Sequence, residues 1–152
     1  MDAQTHQHAL GPPPDARRPV DGAVSVDFEA GPEAAAWARN ALLAVEQEVD
    51  ADLMADVRLL VSELVTNSVR HSGVGPPDSV GLDVAVDSET IRVEVRDNGS
   101  GFEPRRRDPN RTRPGGWGLY LVDMLADRWG VVRNHFTRVW FEIDRGRVRP
   151  LA

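Results

Sequence analysis

Val24, Val26 and Phe28 alternate with Ser25, Asp27 and Glu29, a period of two that predicts a strand with one face toward a core. At Gly31-Pro32-Glu33 the pattern changes. Pro32 suits a first helical position and Glu33 the positive end of a helix. The alanine-rich run through Trp37, Ala41, Leu42 and Val45 predicts a helix to about Glu48. Asp50 or Asp52 can cap the next helix. There Leu53, Val57, Leu60 and Leu64 form an apolar stripe, and the helix is expected to end at about His71, before Ser72-Gly73. Val80, Leu82, Val84 and Val86, then Ile91, Val93 and Val95, alternate around Asp87-Ser88-Glu89 and predict a hairpin whose apolar face covers the helices. Leu119, Leu121, Val122 and Leu125 mark a short helix. Trp129, Val131 and Val132 predict a strand, Asn134-His135 a turn, and Val139, Phe141 and Ile143 a last strand. Trp129 and Trp140 are expected in the core.

The 152 residues suffice for one domain with one core. Residues 1–22 are polar and interrupted by Pro12-Pro13-Pro14 and Pro19, and read as a tail; the domain is expected over 23–145, with a basic tail at 146–152. The net charge of −6 argues against sequence-independent nucleic-acid binding, which needs a basic footprint. It leaves room for a protein partner with a basic surface. There is no cysteine, so there is no disulfide framework and no thiolate metal site, which fits a reducing cytoplasm. No apolar run approaches a membrane span, and the N-terminus lacks a signal-peptide pattern.

Three segments carry candidate chemistry. At 100° per residue, Glu63, Asn67 and Arg70 share one narrow strip beside the apolar stripe of the second helix. Alone, that is an ordinary solvated pair with a neighbour. Asp97-Asn98-Gly99-Ser100-Gly101 ends a strand with an acceptor-only carboxylate, suited to an exocyclic amine such as adenine N6. Gly99 and Gly101 let a flat ring approach the backbone, although Asp-Asn-Gly is also a common turn. Gly115-Gly116-Trp117-Gly118 before an apolar helix offers bare N–H groups to an anion. The same cluster can serve as a hinge. It is not the Lys-bearing phosphate loop, because no Lys-Ser/Thr follows. Between them, residues 103–114 form a charged, proline-interrupted stretch rich in arginine. Together the segments supply an adenine acceptor, a phosphate nest, a hard amide oxygen for Mg²⁺ at Asn67, and a base at Glu63.

Glu63-x-x-x-Asn67, Asp97-x-Gly99-x-Gly101 and Gly116-x-Gly118-Leu119 resemble the N, G1 and G2 boxes of the GHKL (Bergerat-fold) ATPases. The phrases Val61 to His71 and Gly116 to Asp123 are similar to the anti-sigma-factor serine kinases, above all their actinobacterial relatives. The resemblance runs from about Val24 to Asp144. It implies an α/β (α+β) two-layer sandwich, with a mixed, mostly antiparallel sheet and helices on one face. It implies ATP and Mg²⁺, with Asp97 on adenine, Asn67 on the metal and Glu63 as catalytic base. Arg70, Gly99, Gly101, Gly115, Gly116, Trp117, Gly118 and Leu119 then shape the nucleotide site. The implied reaction is phosphorylation of a serine or threonine on an anti-sigma-factor antagonist of the STAS type. The implied second partner is a sigma factor, and members often form a homodimer.

Besides an arginine-rich lid at Arg105 to Arg113, suited to clamping phosphates or to binding an acidic partner, the chain departs from the family pattern in two places. Pro114 stands where several kinases place an arginine, two residues before the first glycine of the second box. Family members also tend to carry Thr directly before the valine of the last strand, near adenine. Here Arg138 holds that place and Thr137 lies one residue earlier, on the opposite side of the strand. These departures motivate an alternative, a non-catalytic ATP-dependent protein-binding module of the same fold. A third reading, the detached catalytic domain of a histidine kinase, is disfavoured because no His-bearing helix pair is seen upstream. His71, at a helix C-terminus, reads as a dipole partner.

Overall fold

The computed structural model describes residues 22–71, 78–97, 117–133 and 136–146. In chain order they form β1 (Gly22–Glu29), α1 (Ala34–Ala41), α2 (Ala51–His71), β2 (Ser79–Val86), β3 (Thr90–Asp97), α3 (Trp117–Leu125), β4 (Arg128–Arg133) and β5 (Thr137–Asp144). Gly22, expected in the tail, opens β1. The strands make one sheet in the order β1-β2-β3-β5-β4, and α1, α2 and α3 pack on one face of it. This is the two-layer α+β sandwich that the sequence implied. Every pairing among the described residues is antiparallel, so the parallel component of a mixed sheet is missing. The cause is the β4–β5 hairpin, which enters the sheet with β5 against β3 and so reverses direction once more.

The period-two pattern decides which side chains face the helices. Val24 lies opposite Val84, Leu82 opposite Val95, and Phe141 opposite Val93, all on the helix side. They meet Leu53, Val57, Leu60 and Leu64 of α2 in one apolar core. Each such side chain contributes about 1.5–3 kcal/mol when fully buried. Leu53, Met54, Val57, Leu60, Val61, Leu64 and Val65 of α2 are all buried in this core, so the Glu63–Asn67 edge belongs to a firmly anchored helix.

Two local expectations need correction. The first helix does not run from Pro32 to Glu48. Pro32 sits inside a turn closed by the Ala34 N–H on the Gly31 carbonyl at 3.1 Å, and α1 begins after it. Beyond Ala41 the chain tightens into 3-10 turns at 42–44 and 46–48. Residues three apart are in line in a 3-10 turn, and this brings both Leu42 and Val45 onto the core. The second correction concerns Trp140. It is buried to 1% exposure, but on the sheet face away from the helices, opposite Glu94 and Gly130. Trp129 is in the core as expected.

That outer face is knitted by charge. Glu142, itself buried, accepts from Arg128 Nε at 2.9 Å and from Arg92 Nε at 3.3 Å. Arg128 also reaches Asp144 at 2.5 Å, and this bond above all holds its pKa raised. Arg96 Nε donates to Asp83 at 2.7 Å, and its Nη2 lies 3.6 Å from Asp27, so one guanidinium ties three strands. Gly81 makes room for it, because a Cβ there would stand 2.6 Å from Arg96 Nη2.

Candidate functional site

One row of residues crosses the end of the sheet. Val80 lies opposite Asp97, Asp97 opposite Thr137, and Thr137 opposite Arg133. The last turns of α2 lead, through residues 72–78, into the start of β2 at this same end. The C-terminus of helix α3 is joined by residues 126–127 to the start of β4, at the far end of the sheet. Nine residues of helix span about 13 Å, and α3 touches both β4 and α2.

Asn67 has only 6% of its surface exposed, Glu63 one turn earlier is half-buried, and Arg70 is exposed on the same strip. Ser62, next to Glu63 in sequence, accepts from Arg39 Nη1 of α1 at 3.2 Å. Helix α3 also packs against α2. Asp97 closes β3 with 3% exposure. Trp117, Gly118 and Leu119 are the first three residues of α3. Gly99, Gly101, Gly115, Gly116 and the arginine-rich 103–114 lie outside the described residues.

Thr137 is the residue that the sequence reading misplaced. It is 3% exposed, sits directly opposite Asp97, and so lies on the face that carries the site. Arg138 points to the other face, where its Nε is 3.9 Å from Glu94. The signal was present in the alternation Thr137, Val139, Phe141, Ile143, which puts the threonine in the core register. Ser68, buried beside Asn67, was not singled out either.

A buried carboxylate and a buried hydroxyl at adjacent strand ends form a polar floor in an otherwise apolar layer. Such a floor suits a flat heterocycle with a donor edge. Among the described residues, no group of three or more His, Cys, Asp or Glu side chains is placed to hold a metal ion, and no helix is long and apolar enough to cross a membrane.

Residues 28–143 match the family model of the histidine kinase-like ATPase domain. The chain belongs to that family. The match runs from the end of β1 nearly to the end of β5, so Glu63, Asn67, Asp97 and Thr137 all fall inside the ATPase domain. The chain is similar to the serine-protein kinase RsbW of Listeria monocytogenes serotype 4a, at 27% identity over 118 residues, 68% of this chain and 75% of that one. It is also similar to the anti-sigma F factor of Clostridium botulinum strain Eklund 17B, at 31% over 114 residues, covering 68% and 80%. The anti-sigma F factor of Halalkalibacterium halodurans is 28% identical over 119 residues, covering 72% and 82%. This histidine kinase-like ATPase domain thus resembles proteins of two names, a serine-protein kinase and anti-sigma F factors.

Proposed function

We propose that the protein binds ATP at the Asp97 end of the sheet and acts as an anti-sigma serine/threonine protein kinase. Its substrate is a serine or threonine of a STAS-type anti-sigma-factor antagonist, and its second partner is a sigma factor, which it sequesters. The reading is supported by the match to a histidine kinase-like ATPase domain that contains Glu63, Asn67 and Asp97, with Asn67 and Asp97 among the buried polar residues. Family likeness to RsbW and to anti-sigma F factors supplies the partner classes. The protein works in the cytoplasm, and a homodimer is its working assembly.

In this reading Asp97 accepts a hydrogen bond from adenine N6, with the Thr137 hydroxyl beside it. Gly99, Gly101, Gly115, Gly116 and Gly118 leave room for the ring and the phosphates, with Trp117 and Leu119 beside them, and Arg70 lies at the open edge. The donor set fits Mg²⁺ and no dedicated cage: Asn67 offers one hard amide oxygen, and phosphate and water oxygens complete such a shell. When bound, the ion neutralises charge on the triphosphate. Glu63 takes the proton of the substrate hydroxyl as its oxygen bonds to the γ-phosphorus, while the bond to ADP breaks. Positioning supplies most of the acceleration in such transfers.

The non-catalytic alternative rested on Pro114 and Arg138. Arg138 faces away from the site, which removes half of its motive. The deciding experiment offers γ-labelled ATP and candidate antagonist proteins to the wild-type chain and to Glu63→Gln. Label on an antagonist serine or threonine, lost in Glu63→Gln with ATP binding intact, is the expected result. Binding of partner and nucleotide without any transfer by the wild-type chain would establish the binding module instead.

A further inference from the structure

Trp129 lies on the helix side of β4 with 5% of its surface exposed. An indole N–H can only donate, and when buried it needs an acceptor. Asp123 Oδ1 supplies one at 3.1 Å. Asp123 is an odd choice for α3 taken by itself. Aspartate is a weak helix former. It stands in the C-terminal half of a nine-residue helix, where a negative charge opposes the dipole, and no basic side chain in the last turn offsets it. The bond to Trp129 is one thing the position gains.

We propose that Asp123 is a positioning residue for the triphosphate, acting through Trp129 to fix the tilt of α3. This rests on the ATP-binding reading above and gives Asp123, at the end of the Gly116 to Asp123 phrase, and Trp129, outside it, a part in that site. A helix this short does not hold its own direction. Leu121, Val122 and Leu125 attach it to the core, but apolar contact is not directional. The Asp123–Trp129 bond is directional, and a charged acceptor makes it stronger than a neutral one. It grips α3 two residues before its C-terminal residue, while Gly118 lies in the first turn. A tilt of about 10° about Asp123 moves Gly118, about 7.5 Å away along the helix, by about 1.3 Å. Misplacement by about 1 Å can cost on the order of a hundredfold in a phosphoryl-transfer geometry.

The test measures ATP and adenosine binding by calorimetry and by NMR titration, with melting temperature alongside, in the full chain. Asp123→Ala is expected to lower ATP affinity by about tenfold while adenosine affinity stays within about twofold, because the purine end is built from β3 and β5. Asp123→Asn keeps an oxygen that accepts the indole N–H and should restore ATP affinity to within about threefold of wild type. Trp129→Phe should match Asp123→Ala, and the double variant should be no worse than the poorer single one. Trp129→Phe carries the same comparison if Asp123→Ala fails to fold. ATP affinity unchanged in the folded variants, or ATP and adenosine lost in equal proportion, would overturn the proposal. A wild-type chain that binds no ATP would instead overturn the functional reading on which it stands.

Discussion

Thr137 stands directly opposite Asp97 across the β3–β5 pair, and both are buried on the helix-bearing face. The pairing gives the proposed purine end a hydroxyl as well as a carboxylate. Thr137→Val keeps the β-branched shape and removes the hydroxyl. ATP affinity is expected to fall by about tenfold, the equivalent of one lost hydrogen bond of about 1–1.5 kcal/mol. Isothermal calorimetry measures it, and an unchanged affinity would place the adenine elsewhere.

Glu63 and Asn67 are one turn apart but differ in burial, and their proposed roles differ in the same way. Glu63→Gln should reduce phosphate transfer by about 10²–10⁴-fold, the usual contribution of a general base, with little change in ATP affinity. Asn67→Ala should weaken binding of Mg-ATP more than of metal-free ATP. Equal losses for both forms of the nucleotide would detach Asn67 from the metal.

On the outer face, Glu142 is buried between Arg92 and Arg128. Glu142→Ala leaves two guanidinium groups facing each other across β3, β5 and β4. A loss of about 2–4 kcal/mol is expected in urea unfolding, toward the lower part of the range for a broken buried pair, since Arg128 keeps Asp144. A loss under about 0.5 kcal/mol would mean that the network is ornamental, like most surface pairs.

Glu94 gives a pH dependence with a defined sign. Burial pushes its pKa up, Asp83 adds to the rise, and Arg138, Arg96 and Arg92 oppose it. The folded chain therefore binds this proton more readily than the unfolded chain does. Stability from Glu94 is fully present below the ordinary carboxylate pKa and is lost as pH rises through the raised value. Glu94→Gln removes that loss. It should melt higher than wild type at neutral pH, and the gap should close on acidification below the ordinary carboxylate range. A gap that widens toward acid would contradict the sign.

Most of the fold was legible because alternation and helical spacing are strong in this chain. Leu53, Val57, Leu60 and Leu64 gave α2, and the valines of β2 and β3 gave the hairpin, since burial of one face enforces those periods. The residues proposed for the site belong to those same elements: Glu63 and Asn67 to the second half of α2, Asp97 to the end of β3. What failed had tertiary causes. The 3-10 turns after Ala41 answer to the core's need for both Leu42 and Val45. Trp140 reads as a core residue because its hydrophobicity carries no label for which sheet face buries it. Thr137 was misread because its face depends on the register with Asp97, and register is a property of two strands. The Asp123–Trp129 bond joins a helix to the strand after it, and neither residue signals the other in sequence.

The measurement that bears most directly on the whole account is a calorimetric titration of Mg-ATP into the wild-type chain and into Asp97→Asn. Saturable one-site binding by the wild type is predicted. Asn keeps an acceptor oxygen but loses the charge and can present an N–H to the purine amine, so affinity should drop by about tenfold or more. No binding heat with the wild type, or equal affinity in Asp97→Asn, would contradict a nucleotide site at this end of the sheet.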